Sequence, residues 1–277
     1  MNLLLAALLG VIQALTEFLP VSSTAHLLVA GELLGQHLDD AHFRAFVTII
    51  QTGTTVAVLV YFRDDLGRLI TAGLRSLARL RPLETAESRL AWYIVLGTIP
   101  AAVLGLLFEK RIEKLGNWVI VASLILLGLL LLAAERVARH VRSVEDVTAS
   151  DALAIGCAQA VALVPGCSRS GTTITAGMLL WLKREAAARF SFLLSVPIIL
   201  GAGAYKLHQE LPKLKGQPAW TAATLVGTAV SAVGGYLVIG WLLGWLRTRT
   251  TYVFVVWRIL AGVAIAVLIA RGVLPAS

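Results

Sequence analysis

Apolar runs of two lengths recur along the chain in the same order twice. A short run from Asn2 to Leu15 meets a polar break at Thr16-Glu17 and Pro20, and a second short run from Ala25 to Leu34 ends near Gly35. Neither reaches the roughly 20 apolar residues that a crossing helix needs. Between them Ser22-Ser23-Thr24 offers good helix N-caps, so the pair reads as a re-entrant helix-loop-helix that enters the membrane without crossing it. Three longer runs, Ala45–Phe62, Leu90–Phe108 and Asn117–Ala134, are each near spanning length, and the basic stretch from Arg63 to Arg89 reads as a loop between two of them. Glu135 to Asp151 is charged and carries no apolar run, which marks a joint. Beyond it come two short runs, Ala152–Val164 and Gly171–Leu182, and three long ones, Ala187–Tyr205, Ala219–Leu246 and Thr251–Ala270. The middle long run exceeds a bilayer and is expected to tilt or break at Gly234-Gly235.

The halves also match weakly in residues. Gly10-Val-Ile-Gln13-Ala14 precedes Pro20 and the Ser22-Ser23-Thr24 cluster, while Gly156-Cys-Ala-Gln159-Ala160 precedes Pro165 and Ser168-Arg169-Ser170. Three crossings per half is an odd number, so the second half enters from the opposite side. The expected fold is an all-α polytopic membrane protein, a single domain over 1–277 built from inverted-topology repeats at about 1–135 and 151–277. The polar tips of the two hairpins should then meet near the midplane. One face collects about fourteen basic residues, from Arg63 to Arg89, Arg136 to Arg142, Lys183 to Arg189, and Arg247 with Arg249. The other holds about eight: Arg44, Lys110, Arg111, Lys114, Lys206, Lys213, Lys215 and Arg271. The richer face reads as cytoplasmic, which puts both termini and the first hairpin outside.

Composition agrees with the pattern: 58% apolar and 14% charged residues, with a mean hydropathy of +0.82. A formal net charge of +8 would point to nucleic acid in a soluble chain, but here the basic residues lie in short connections, where they set topology. Nucleic-acid binding is excluded on that ground. Cys157 and Cys167 lack metal-ligand spacing and support no disulfide framework. Met1 to Gly10 has no basic start and no cleavage signal, so it reads as retained sequence.

Candidate chemistry concentrates at the two tips. Pro165-Gly-Cys-Ser-Arg-Ser-Gly-Thr-Thr173 is a polar knot feeding the apolar run from Gly171, with Gly166 and Gly171 in place for backbone conformations closed to other residues. A helix N-terminus collects free N–H groups and positive potential. Ser168, Ser170, Thr172 and Thr173 add hydroxyls, and Arg169 adds a planar donor fork. The inventory suits a phosphoryl group, although a soluble P-loop is ruled out because Thr172 holds the lysine position. A polar loop whose arginine caps a neighbouring helix is the plainer alternative, and membrane-length apolar flanks count against it. In the first tip Gln13 and Glu17 share one helix face and Ser23 and His26 the next. A core-satisfied His26 and an ion-paired Glu17 would explain either residue alone. Arg258, beside Trp257 in the last run, reads as a buried packing ion, and His37, His42, His140 and His208 lie in or near loops.

Gln13-x-x-x-Glu17, Phe18-Leu-Pro-Val-Ser-Ser-Thr-Ala-His26 and Pro165-Gly-x-Ser-Arg-Ser-Gly-x-Thr173 resemble the signature of the undecaprenyl pyrophosphate phosphatase family, also called bacitracin-resistance proteins. The resemblance spans the chain. It implies a bacterial inner-membrane hydrolase that converts undecaprenyl pyrophosphate to undecaprenyl phosphate and phosphate, recycling the peptidoglycan lipid carrier, with its site open to the periplasmic or outer face. The family's motif residues carry over to Gln13, Glu17, Ser22, Ser23, His26, Ser168, Arg169, Ser170 and Thr173; with the loop reading above, Ser23, His26, Glu17 and Arg169 are expected as the catalytic set, and Gln13, Ser22, Ser168, Ser170, Gly171, Thr172 and Thr173 to bind the phosphate. Many members carry two acidic residues in the first motif where this chain has Gln13 and Glu17. A two-carboxylate metal site is therefore not expected, while magnesium or calcium can still bridge Glu17 and the pyrophosphate. No organic cofactor is expected. The preferred assignment makes Ser23 the nucleophile with His26 as base, and attack by His26 itself stays open. The polyprenyl tail would lie in an apolar groove between the re-entrant helices and the spans. Partners are the pyrophosphate lipid and the membrane, with a homodimer left open. The rival from another class is a transporter or flippase of a phosphorylated lipid, since inverted repeats with broken helices are a transporter plan.

Overall fold

The computed structural model describes residues 1–37, 40–112 and 115–276; Lys114, counted above among the outer-face cations, lies outside them. The first hairpin is α1 (Leu3–Phe18) and α2 (Ser23–Leu33), followed by α3 (Ala41–Tyr61), α4 (Arg63–Ala78), α5 (Ala86–Ile112) and α6 (Asn117–Val137). The second hairpin is α7 (Ala149–Val161) and α8 (Arg169–Leu179), followed by α9 (Arg184–Glu210), α10 (Pro218–Thr248) and α11 (Tyr252–Ala270). Among the described residues no strand forms, and six helices, α3, α5, α6, α9, α10 and α11, are long and apolar enough to cross a bilayer. The chain is an all-α multi-pass membrane protein.

Two sequence expectations give way. Arg63–Arg89 is no loop: Leu66, Leu69, Ile70, Gly73, Leu74 and Leu77 recur at helical spacing, Asp64 and Asp65 sit in the first turn and Arg75 in the last, so α4 forms as an amphipathic helix. Its Asp65 accepts a 2.6 Å hydrogen bond from Arg189, which ties α4 to α9. Nor does α10 break at Gly234-Gly235. A Cβ on Gly234 would come 2.8 Å from Ala14 Cβ, and one on Gly235 would come 3.0 Å from Ala57 and Phe18, so these glycines admit neighbouring helices and do not bend their own.

The same close approach seats each hairpin on a span from the other half. α1 lies along α10, where a Cβ on Gly10 would sit 2.6 Å from the carbonyl oxygen of Gly227. α7 lies along α5, where Gly156 meets the backbone of Gly97. Side chains at the joint anchor the second hairpin. Arg142 donates to Asp151 at 2.5 Å and to the Leu180 carbonyl at 2.9 Å, and Asp151 also closes a capping box with Thr148 at the start of α7. Arg184 pairs with Glu135, which in turn accepts from the Thr251 hydroxyl at 2.8 Å, holding α9 and α11 against the end of α6. These buried ions are partnered within the fold.

Candidate active site

Each hairpin tip turns on a serine in an unusual backbone conformation. Ser22 (φ 77°) caps α2 and Ser168 (φ 66°) caps α8, and each side chain accepts from the N–H three residues on, at Ala25 (3.5 Å) and Gly171 (3.1 Å). Positive φ at a residue with a Cβ costs about 1–3 kcal/mol and persists where the surroundings impose it. Here the surroundings are Arg258. Its guanidinium is almost fully buried and donates to the carbonyls of Pro20 (3.0 Å) in the first tip, Gly166 (3.3 Å) and Cys167 (3.2 Å) in the second, and Ser123 and Leu124 of α6. One cation thus staples both tips to a span. Gly166, at φ 86°, presses so close to Ile120 that a Cβ would meet its Cα at 2.7 Å. Gly171 keeps helical backbone and owes its place to Arg258, whose Nη1 would lie 2.8 Å from a Cβ there; the sequence expectation of a special conformation at Gly171 does not hold.

The tips touch. Glu17 accepts from Arg169 Nη2 at 2.9 Å on one oxygen, and from Ser23 Oγ at 2.9 Å and Gln13 Nε2 at 3.1 Å on the other. Ser170 donates to the Leu19 carbonyl at 3.0 Å, a second link between hairpins. The N-termini of α2 and α8 therefore converge on Glu17, with the backbone N–H groups of Ser23, Thr24, Arg169 and Ser170 free of intrahelical partners. Arg169 Nη1 is buried and has no partner among the described residues. Around this junction lies a polar cavity in two lobes, of about 350 and 240 Å³, which share Glu17, Gln51, Arg169 and Lys206. Ser22, Ser23 and Ser168 line the larger lobe, and Thr48, Thr52 and Thr55 of α3 line the smaller.

Other site expectations change place. Ser23 does not meet His26. His26 Nδ1 donates to the Ser22 carbonyl at 2.7 Å, its Nε2 accepts from Trp257 Nε1 at 2.7 Å, and the two rings lie nearly coplanar, edge to edge, beside a separate apolar groove. Both nitrogens are committed, so His26 is not poised as a base for Ser23. Thr172 and Thr173 fold their hydroxyls back onto Arg169 O at 3.0 and 2.7 Å, and Thr173 also meets Ser191 at 2.5 Å. With Ser170 they are buried and pack α8 without facing the cavity. Ser168 and Ser22 do face it.

Three contributors escaped the sequence reading. Gln51 lay inside an apolar run, although Thr48, Gln51, Thr52 and Thr55 repeat at helical spacing and form a readable polar stripe. Lys206 follows the last apolar residue and was assigned to a loop, but α9 continues to Glu210 and carries it to the cavity wall. Arg258 was placed correctly as buried, and only the fold reveals what it holds. For a divalent ion, Glu17 supplies a carboxylate, and Gln13 Oε1 is a buried amide oxygen without a partner among the described residues. Glu17 is a hard oxygen donor of the kind magnesium and calcium take and lines both lobes, whereas Gln13 lines neither, so Glu17 alone would hold such an ion, with water and phosphate oxygens completing its shell.

Similarity to known proteins runs along the whole chain. A family model described as bacitracin resistance protein BacA matches residues 6–264. A protein of Anaeromyxobacter sp. (strain Fw109-5) named undecaprenyl-diphosphatase is 75% identical over 277 residues, covering 100% of this chain and 91% of its own. Proteins of the same name from Myxococcus xanthus (strain DK1622) and Chlorobium limicola (strain DSM 245 / NBRC 103803 / 6330) are 49% and 43% identical, over 98% and 100% of this chain and 91% and 100% of theirs.

Proposed function

The chain belongs to the bacitracin resistance protein family, and we propose that the cavity between its two hairpin tips hydrolyses undecaprenyl diphosphate to undecaprenyl phosphate and inorganic phosphate. The protein is a membrane phosphatase in this reading, a recycler of the lipid carrier for peptidoglycan and a source of bacitracin resistance. The observation that carries it is the shared carboxylate: Glu17 holds a hydroxyl from one hairpin and a guanidinium from the other, each at 2.9 Å.

The chemistry follows from that exchange. An arriving diphosphate competes for Arg169, whose free Nη1 and paired Nη2 suit two phosphoryl oxygens. As Arg169 turns to the phosphate, Glu17 loses its counter-ion and becomes a better base. Ser23 Oγ then attacks the terminal phosphorus, its proton passes to Glu17, and the bridging P–O bond breaks to release undecaprenyl phosphate. Glu17 gives that proton up to the departing phosphate or to solvent; as a carboxylate again it takes a proton from water, whose oxygen attacks the phosphoserine, and the proton passes to Ser23 Oγ as inorganic phosphate leaves. The two helix N-termini and the buried charge of Arg258 stabilise negative charge on the transferred group throughout. His26 positions the Ser22 carbonyl and thereby the tip. Magnesium or calcium beside Glu17 would neutralise further charge on the diphosphate.

The basic-residue bias supports a bacterial inner-membrane setting with the cavity open to the outer face, so that phosphate leaves outward. Purified protein in detergent is expected to release phosphate from undecaprenyl diphosphate, to lose that activity on chelation and to regain it with magnesium or calcium. Binding without release would favour a lipid transporter. For orientation, a cysteine at Ser22 in a background lacking Cys157 and Cys167 should react with an impermeant thiol reagent from outside; reaction from the cytoplasmic side alone would reverse it.

A further inference from the structure

Hydrolysis of a prenyl diphosphate needs a place for the chain as well as the head. Two apolar grooves flank the polar cavity, one of about 540 Å³ between α2 and α11 and one of about 360 Å³ between the ends of α5 and α7. Size favours the first, but connection favours the second. Ile112, Leu115, Leu163 and Val164 line both the α5–α7 groove and the cavity lobe that holds Ser23 and Arg169. The α2–α11 groove shares only Thr16 with that lobe, and the hydrogen-bonded His26 and Trp257 stand in its wall.

We infer that the polyprenyl chain leaves the cavity through the α5–α7 groove, so that the lipid enters sideways between these helices. The inference rests on the phosphatase reading for the identity of the lipid. Three features of the groove fit it. Leu163, in the turn just after α7, stands at the sequence position that matches Glu17 of α1, so one tip presents an apolar wall and the other a carboxylate to one cavity. A Cβ on Gly105 would lie 3.8 Å from Leu163 Cδ2, in ordinary van der Waals contact, so any larger side chain there would press on this wall of the groove. Arg111 lines the same groove with its guanidinium 5.8 Å from the Phe108 ring centroid, a cation where an anionic head would pass from lipid to cavity. The groove accommodates the first prenyl units beside the head, and the remainder of the chain stays in the bilayer.

The test is photo-cross-linking in the full-length protein, using undecaprenyl diphosphate with a diazirine in the prenyl unit nearest the diphosphate. Adducts are expected on Leu104, Phe108 or Leu163; adducts on α2 and α11, or spread over the lipid-facing surface, overturn the inference. Labelling does not need turnover, so adducts on α5 and α7 without phosphate release would retire the phosphatase reading and leave the groove standing. A second arm crowds the Leu163 wall. Gly105→Leu should raise KM for undecaprenyl diphosphate about tenfold with kcat and Tm retained, whereas Ala264→Leu in the other groove should leave KM unchanged. An unchanged KM in Gly105→Leu, or a raised one in Ala264→Leu, contradicts the assignment.

Discussion

In the first hairpin Ser22 caps a helix of 11 residues at φ 77°; in the second Ser168 caps another of 11 residues at φ 66°. Each helix ends two residues before a left-handed residue, Gly35 in one and Trp181 in the other. Each tip is stapled by Arg258, and each first helix rides on a glycine of a span from the other half. Against that shared backbone the side chains diverge. The first helical position is Ser23 in one tip and Arg169 in the other, and Glu17 is matched by Leu163. Gln13 bonds to Glu17 while its counterpart Gln159, equally buried, has no side-chain partner among the described residues. On the proposed reaction, two hairpins of like backbone supply a nucleophile from one tip and an anion clamp from the other, and the chemistry lies where their side chains differ.

Substitutions that touch the divergent positions should hurt activity, and those at the shared ones should act alike on stability. The largest loss is expected from Ser23→Ala, which removes the oxygen proposed to attack: phosphate release should fall by at least about a thousandfold with Tm unchanged. A loss below tenfold would take Ser23 out of the reaction. Arg169→Lys comes next, at about a hundredfold in kcat/KM, because a point ammonium cannot span two phosphoryl oxygens. Near wild-type turnover would remove the clamp. His26→Phe should cost only about tenfold, since it deletes the 2.7 Å bond to the Ser22 carbonyl and leaves Ser23 and Glu17 in place; complete inactivation would restore His26 to direct chemistry. The smallest effects belong to Ser22→Gly and Ser168→Gly. Relief of positive φ offsets most of the lost cap, and both variants should stay within about 1 kcal/mol of wild type in denaturant titration. Unequal shifts would mean that the two tips carry different strain.

Much of this was legible in the residues. Run length separated the two short helix pairs from the six helices long enough to cross a bilayer, and a charge flanked by apolar sequence at Glu17 and Arg169 marked the point where the tips meet. Hydroxyl direction was not legible. Thr172 and Thr173 share a motif with Arg169, yet helical geometry turns them onto its carbonyl, and only the packing of α8 on Ser191 shows which way they face. The partner of His26 was hidden for a similar reason: Trp257 lies more than two hundred positions away and reaches it only once α11 packs beside α2. Arg63–Arg89 was misread because its arginines masked an apolar stripe that a periodicity count resolves.

The division of labour between the tips is tested most directly by trapping the phosphorylated protein. Rapid acid or base quench after mixing with undecaprenyl diphosphate labelled in the terminal phosphate, followed by peptide mapping, should recover the label on Ser23 as an acid-stable phosphoserine, formed about a hundredfold more slowly in Arg169→Lys. Acid-labile label on His26, or phosphate released at the wild-type rate with no label on the chain at any time, would contradict the account.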